Sequence, residues 1–163
     1  MRHSLLSAPV ARRALDAAVT GIVIVDVTTP GQPLTYVNAG FERITGYPAD
    51  EILGRNCRLL QGPGTDPAHL AVMRTALSRG EDCRVTLLNY RADGTPFWNE
   101  LTLSPVSDES GRVTEYIGIQ NDVTDRHEAQ ARVEYLAFHD GLTGLANPSC
   151  PAAEARRRDR ARP

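Results

Sequence analysis

Apolar and polar positions along this chain change period several times, and each change marks an element. In "VARRALDAAV", Val10, Ala14, Ala17 and Ala18 recur at helical spacing, with Ser7 placed to cap, Pro9 in the first turn and Gly21 closing the segment. "GIVIVDV" is a short apolar run that predicts a strand, "TTPGQP" a turn, and "LTYVN" a second, alternating strand. Asn38 can cap a short helix over "AGFERITG", and "PADEILG" starts another with Pro48 and two acids in its first turn. "GTDPAHLAVMRTALSRG" predicts a longer helix. Thr65 or Asp66 is its cap, Pro67 its start and Gly80 its stop, with Leu70, Met73 and Leu77 on the apolar face. Three strand signals follow. "CRVTLLNYR" turns through "ADG" into "TPFWNELTLSPV", and "SDESG" leads to "RVTEYIGIQNDV".

The order is two strands, short helices, one longer helix and a three-stranded meander. It predicts an α+β domain: a five-stranded antiparallel sheet with helices on one face and helical extensions at both ends. The expected division is 1–19 for the N-terminal helical cap, 20–124 for the domain and 125–163 for the C-terminal extension. In that extension "TDRHEAQARVEYLAFHD" puts Ala129, Val133, Leu136 and Ala137 on one stripe. A stripe so narrow needs a partner, and a homodimer through the terminal helices is expected.

Composition narrows the class further. Hydrophobic content of 41% and charged content of 23% are ordinary for a globular chain. No apolar run is long enough to span a bilayer and no secretory signal pattern opens the sequence, so a cytoplasmic protein is expected. Cys57, Cys83 and Cys150 form no CxxC or Cys/His cluster, so neither a disulfide framework nor a metal site is indicated. All 18 basic residues are arginine. The closing "RRRDRARP" carries a net +4 and the remainder −6, but no aromatic residue accompanies that basic tail and nucleic-acid binding is not expected.

The informative residues are polar ones that interrupt apolar stretches. Asn56, Cys57, Arg58 and Gln61 share the segment "GRNCRLLQGPG", where the spacing of 57 and 61 puts both on one helical face. Asn89, Asn99 and Gln120 each break an apolar strand. A strand amide alone commonly faces solvent, a lone cysteine is commonly an inert small hydrophobe, and a helix arginine commonly lies on the surface. Together they suggest a planar heterocycle whose polar edge satisfies several amides, with Arg58 and Arg74 placed to hold a phosphate.

At these residues the chain resembles the LOV domains, the flavin-binding blue-light sensors of the PAS superfamily, and in particular a short bacterial LOV photoreceptor. "GFERITGYPADEILGRNCRLLQGPGTDP", "LLNYRADGTPFWNELTLSPV" and "YIGIQNDVT" fall in family order across about residues 20–124. The resemblance implies a PAS-like sheet and assigns Cys57 as the photoreactive thiol that adds reversibly to flavin C4a. It implies that Arg58 and Arg74 hold the flavin phosphate, Gln61 contacts the ribityl chain or ring, and Asn56 fixes that segment. Asn89 and Asn99 would pair with the pyrimidine edge, and Gln120 would lie near N5. Val25 and Asn38 are placed in the pocket wall, and Leu101 stands where many relatives have phenylalanine. The short "PGTDP" connection lacks the insertion that helps some relatives hold an adenine, which favours FMN over FAD; riboflavin is also less expected than FMN.

"YLAFHDGLTGLANP", near 135–148, resembles the opening of GGDEF diguanylate cyclase domains, but no GGDEF signature follows it in this sequence. The expectation is a non-enzymatic photoreceptor signalling through its terminal helices. The alternatives are a sensory fragment of a light-regulated cyclase and a flavin- or redox-sensing PAS module. Cys83, Cys150 and His139 are left without a role.

Overall fold

A computed structural model describes residues 8–138. Ser7, His139, Cys150, the basic tail and most of the GGDEF-like stretch lie outside them. The described elements are α1 (Ala8–Ala17), β1 (Gly21–Asp26), β2 (Leu34–Val37), α2 (Ala39–Thr45), α3 (Ala49–Ile52), a 3₁₀ turn (Cys57–Leu60), α4 (Pro67–Arg79), β3 (Cys83–Tyr90), β4 (Pro96–Ser107), β5 (Val113–Asp122) and α5 (Thr124–Phe138).

The strands form one antiparallel sheet in the order β2-β1-β5-β4-β3, so the last strand lies at the centre beside the first. Inward positions alternate along each strand, as a half-covered sheet requires. Val85, Leu87 and Asn89 of β3, Phe97, Asn99 and Leu103 of β4, and Tyr116 and Gln120 of β5 are all buried. Two apolar clusters result. One joins Val23, Leu34, Val37, Phe41, Ile52 and Leu60; the other joins Ala76, Cys83, Val85, Leu87, Leu103 and Tyr116.

Caps fix where the helices begin. Asn38 Oδ1 accepts from Phe41 N at 2.9 Å and starts α2, and Gly46 ends it in the left-handed region at φ 73°. Asp66 caps α4 by accepting from Ala68 N at 2.8 Å, so of the two candidate caps the carboxylate takes this role. α1 ends at Ala17, earlier than Gly21, and its last turn is tied down by Asn38 Nδ2 donating to Leu15 O at 2.7 Å. The fifteen-residue α5 opens the second of two units, which begins at Thr124; Val133, Tyr135 and Leu136 are exposed on it.

Candidate functional site

A cavity of about 360 Å³ opens over the inner face of the sheet, within the size range of small-molecule sites. Val23, Val25, Leu87, Leu101, Leu103 and Tyr116 line it from the strands, Val27 from just past β1, and Leu70, Met73 and Leu77 from α4. Asn56, Cys57, Arg58, Leu60 and Gln61 come from the 3₁₀ turn and its flanks. Asn89, Asn99 and Gln120 complete the wall, with Gln32 from the β1–β2 turn and Arg74 from α4.

Strand register brings the amides together. Gln120 lies between Gly21 of β1 and Leu101 of β4, while Asn99 and Asn89 occupy diagonal inward positions across the β3–β4 ladder. Asn99 Nδ2 donates to Asn89 Oδ1 at 2.9 Å and to Gln120 Oε1 at 3.2 Å. Gln120 Nε2 in turn donates to Cys57 Sγ at 3.8 Å. Three amides and one thiol therefore form a continuous row. Asn89 Nδ2 ends it on the neighbouring Leu88 carbonyl at 3.2 Å. One acceptor in the row, Asn99 Oδ1, is buried and has no partner among the described residues. A buried acceptor left so is costly, and it is the kind of group that a bound donor satisfies.

Cys57 is held by local structure. Asn56 Oδ1 accepts from Arg58 N at 2.9 Å, which starts the 3₁₀ turn, and its Nδ2 donates to Gly31 O at 2.5 Å and Gln32 O at 3.2 Å. The turn stops at Leu60 and Gln61 is extended, so Cys57 and Gln61 do not share an α-helical face as their spacing predicts. Proline and glycines directly after Gln61 favour this early stop. Both residues still reach the cavity wall. Burial pushes the Cys57 thiol up to about 11, against an opposing pull from the Gln120 hydrogen bond. The sulfur is therefore a neutral thiol at physiological pH. Arg58 and Arg74 are exposed, so these two cations stand where the cavity meets solvent.

One expected wall residue lies elsewhere. Asn38 is absent from the cavity lining; all its polar atoms are engaged behind β1. Oδ1 accepts from Ile22 N and Phe41 N at 2.7 and 2.9 Å, and Nδ2 donates to Leu15 O and Thr20 O at 2.7 and 3.1 Å. Its capping role consumes the side chain. Sequence reasoning missed Gln32, since nothing in a turn sequence marks which residue faces a cavity. It also left out the apolar wall of Val23, Val27, Leu87, Leu103 and Tyr116, which the two-residue alternation of the strands signals. Among the described residues no cluster of His, Cys, Asp or Glu is placed to hold a metal, and no helix is long and apolar enough to cross a membrane.

A central fifth strand, short helices over one sheet face and a cavity between them define the PAS fold. The PAS domain family matches residues 19–125. The blue-light photoreceptor of Listeria monocytogenes is 42% identical over 142 residues, covering 87% of this chain and 55% of that protein. The solved structure of an RNA-binding light-oxygen-voltage receptor superposes with a TM-score of 0.76 at 45% identity, covering 84% of this chain and 40% of that one. A second solved structure, described as showing through a flavin analogue how light-oxygen-voltage domains work, gives a TM-score of 0.67 at 43% identity; 80% of this chain and 96% of that one are covered. The chain belongs to the LOV domains of the PAS family. It spans about half the length of the Listeria protein and under a quarter of several other curated relatives.

Proposed function

We propose that this chain is a blue-light sensor that holds FMN non-covalently in the dark and bonds Cys57 reversibly to the ring carbon C4a in light. The observation that carries this reading is the amide row that ends on the Cys57 sulfur and leaves Asn99 Oδ1 without a partner. A ring edge with carbonyls and an N–H suits such a row, because it offers acceptors to Asn89 and Gln61 and a donor to Asn99. Arg58 and Arg74 at the mouth suit a terminal phosphate. Flavin, when bound, supplies the absorption of blue light and an excited state in which C4a accepts a thiol.

Cys57 contributes the sulfur as a neutral thiol. When the thiol adds to C4a, its own S–H proton would go to the ring nitrogen N5, so no outside base, oxidant or reductant would be needed. Gln120 can present either end of its amide to that nitrogen, oxygen to a donor or nitrogen to an acceptor. Two residues further along the chain β5 ends, and α5 follows at Thr124. The proposed output is a change in helix packing or self-association, without catalysis by this chain. The exposed Val133 and Leu136 supply an apolar contact for a homodimer.

A visible spectrum of the purified protein tests the reading. The expected result is a yellow protein that bleaches in blue light and recovers in the dark. A colourless protein that does not take up FMN, or a yellow one that does not bleach, rejects it.

A further inference from the structure

Thr65 lies outside the cavity wall and is 7% exposed, yet its hydroxyl is wired to both ends of the site. Its Oγ1 donates to Leu88 O at 2.6 Å and accepts from Gly62 N at 3.0 Å. Its backbone N donates to Gly62 O at 3.0 Å. With Asp66 capping α4, none of this hydroxyl's bonding is spent on starting the helix.

The Leu88 carbonyl is also where the amide row ends, since Asn89 Nδ2 donates to it. Two chains of hydrogen bonds therefore meet on one oxygen. One runs from Cys57 through Gln120, Asn99 and Asn89; the other runs from Gly62 through Thr65. The backbone from 57 to 62 closes the circuit. β3 is an edge strand of the sheet, and Thr65 supplies a donor on the side where no strand follows.

The loop between Gln61 and Thr65 lies close against the same strand. Gly64 N donates to Tyr90 Oη at 2.9 Å, and a Cβ on Gly62 would stand 2.4 Å from the Tyr90 ring. The loop runs directly out of the 3₁₀ turn that carries Cys57, so the place where it is fastened sets where that turn can sit. A small displacement of a reacting atom costs rate steeply.

We infer that Thr65 is a positioning residue for the reaction of Cys57: its hydroxyl fastens the 61–65 loop to the Leu88 carbonyl and so sets where the sulfur is presented. The inference rests on the proposed reaction of Cys57, and its test separates the two. Thr65→Val keeps the shape and removes the hydroxyl; Thr65→Ser keeps the hydroxyl. In flavin-free protein, the Gly62 amide should exchange hydrogen at least about tenfold faster in the Val variant and at the parent rate in the Ser variant, with β4 and β5 amides unchanged. In FMN-loaded protein, the quantum yield of the Cys57 bond should fall severalfold in the Val variant at unchanged FMN affinity, and recover in the Ser variant. Thr65→Ala serves the same comparison should the Val variant fail to fold. Unchanged Gly62 exchange, a yield that falls only in step with FMN affinity, or no recovery with Ser overturns the inference. A parent that does not bleach rejects the functional reading instead, and the exchange measurement then decides alone whether Thr65 fastens the loop.

Discussion

Gln120 and Cys57, 63 residues apart in sequence, meet inside the cavity, where the Gln120 Nε2 donates to the Cys57 sulfur at 3.8 Å. The oxygen of the same amide accepts from Asn99, so Gln120 links the thiol to the strand amides. The thiol is therefore hydrogen-bonded to a residue of the central strand.

Gln120→Leu should still form the Cys57 bond in light while losing most of any light-dependent change in self-association or α5 protection. One rearranged hydrogen bond is worth roughly 1 kcal/mol, enough to shift an association constant about fivefold. Light scattering and hydrogen exchange on dark and lit samples measure this. A full light response in the Leu variant would place the output route elsewhere.

Cys57→Ala should keep FMN bound and abolish reversible bleaching, because the proposed cofactor contacts lie on other residues. The same variant tests the buried thiol through pH. The Cys57 thiol stands at about 11 in the folded chain against an ordinary 9.0, so between those values the folded state keeps a proton that the unfolded chain releases. Its share of stability is complete below about pH 9 and is lost as pH rises toward 11. Urea denaturation should show a shallower alkaline decline in Cys57→Ala than in the parent. Parallel curves would contradict a buried neutral thiol.

Replacing Arg58 and Arg74 together by alanine should weaken FMN binding by at least about tenfold and leave riboflavin binding nearly unchanged, since charge-assisted contacts are lost only for the phosphate. Titration with both flavins gives the comparison. Equal losses would remove these arginines from phosphate binding.

Asn38→Ala should cost roughly 2 to 4 kcal/mol of stability, since it removes the α2 cap and leaves buried backbone groups of β1 and the α1–β1 link unpaired. The flavin spectrum of the folded variant should match the parent's. A denaturation midpoint close to the parent's, or a shifted spectrum, would show that Asn38 serves the cavity.

The fold was legible where periodicity and punctuation agree, as in the "ADG" hairpin and the Pro67 start of α4. Asn89, Asn99 and Gln120 stood out because an amide at an inward strand position is costly without partners, and all three sit on one wall. Local bonding was harder to read. Asn38 carries one sequence signal, for a cap, and four hydrogen bonds leave nothing to face a ligand. Cys57 and Gln61 have α-helical spacing, yet the "QGPG" that follows stops the turn early. Thr65 and Asp66 are equivalent as caps in sequence; only the nearness of Leu88, 23 residues away, separates them. Such choices depend on tertiary neighbours that spacing does not encode.

Gly21, the first residue of β1, pairs with Gln120 near the end of β5. The polypeptide thus enters and leaves the sheet at adjacent points, so the segment before β1 and the one after β5 are joined to neighbouring residues of one ladder. A close entry and exit is the arrangement in which an insertion least disturbs the sequences on either side. At that shared point the first residue of the sheet pairs with Gln120, the glutamine that touches the thiol.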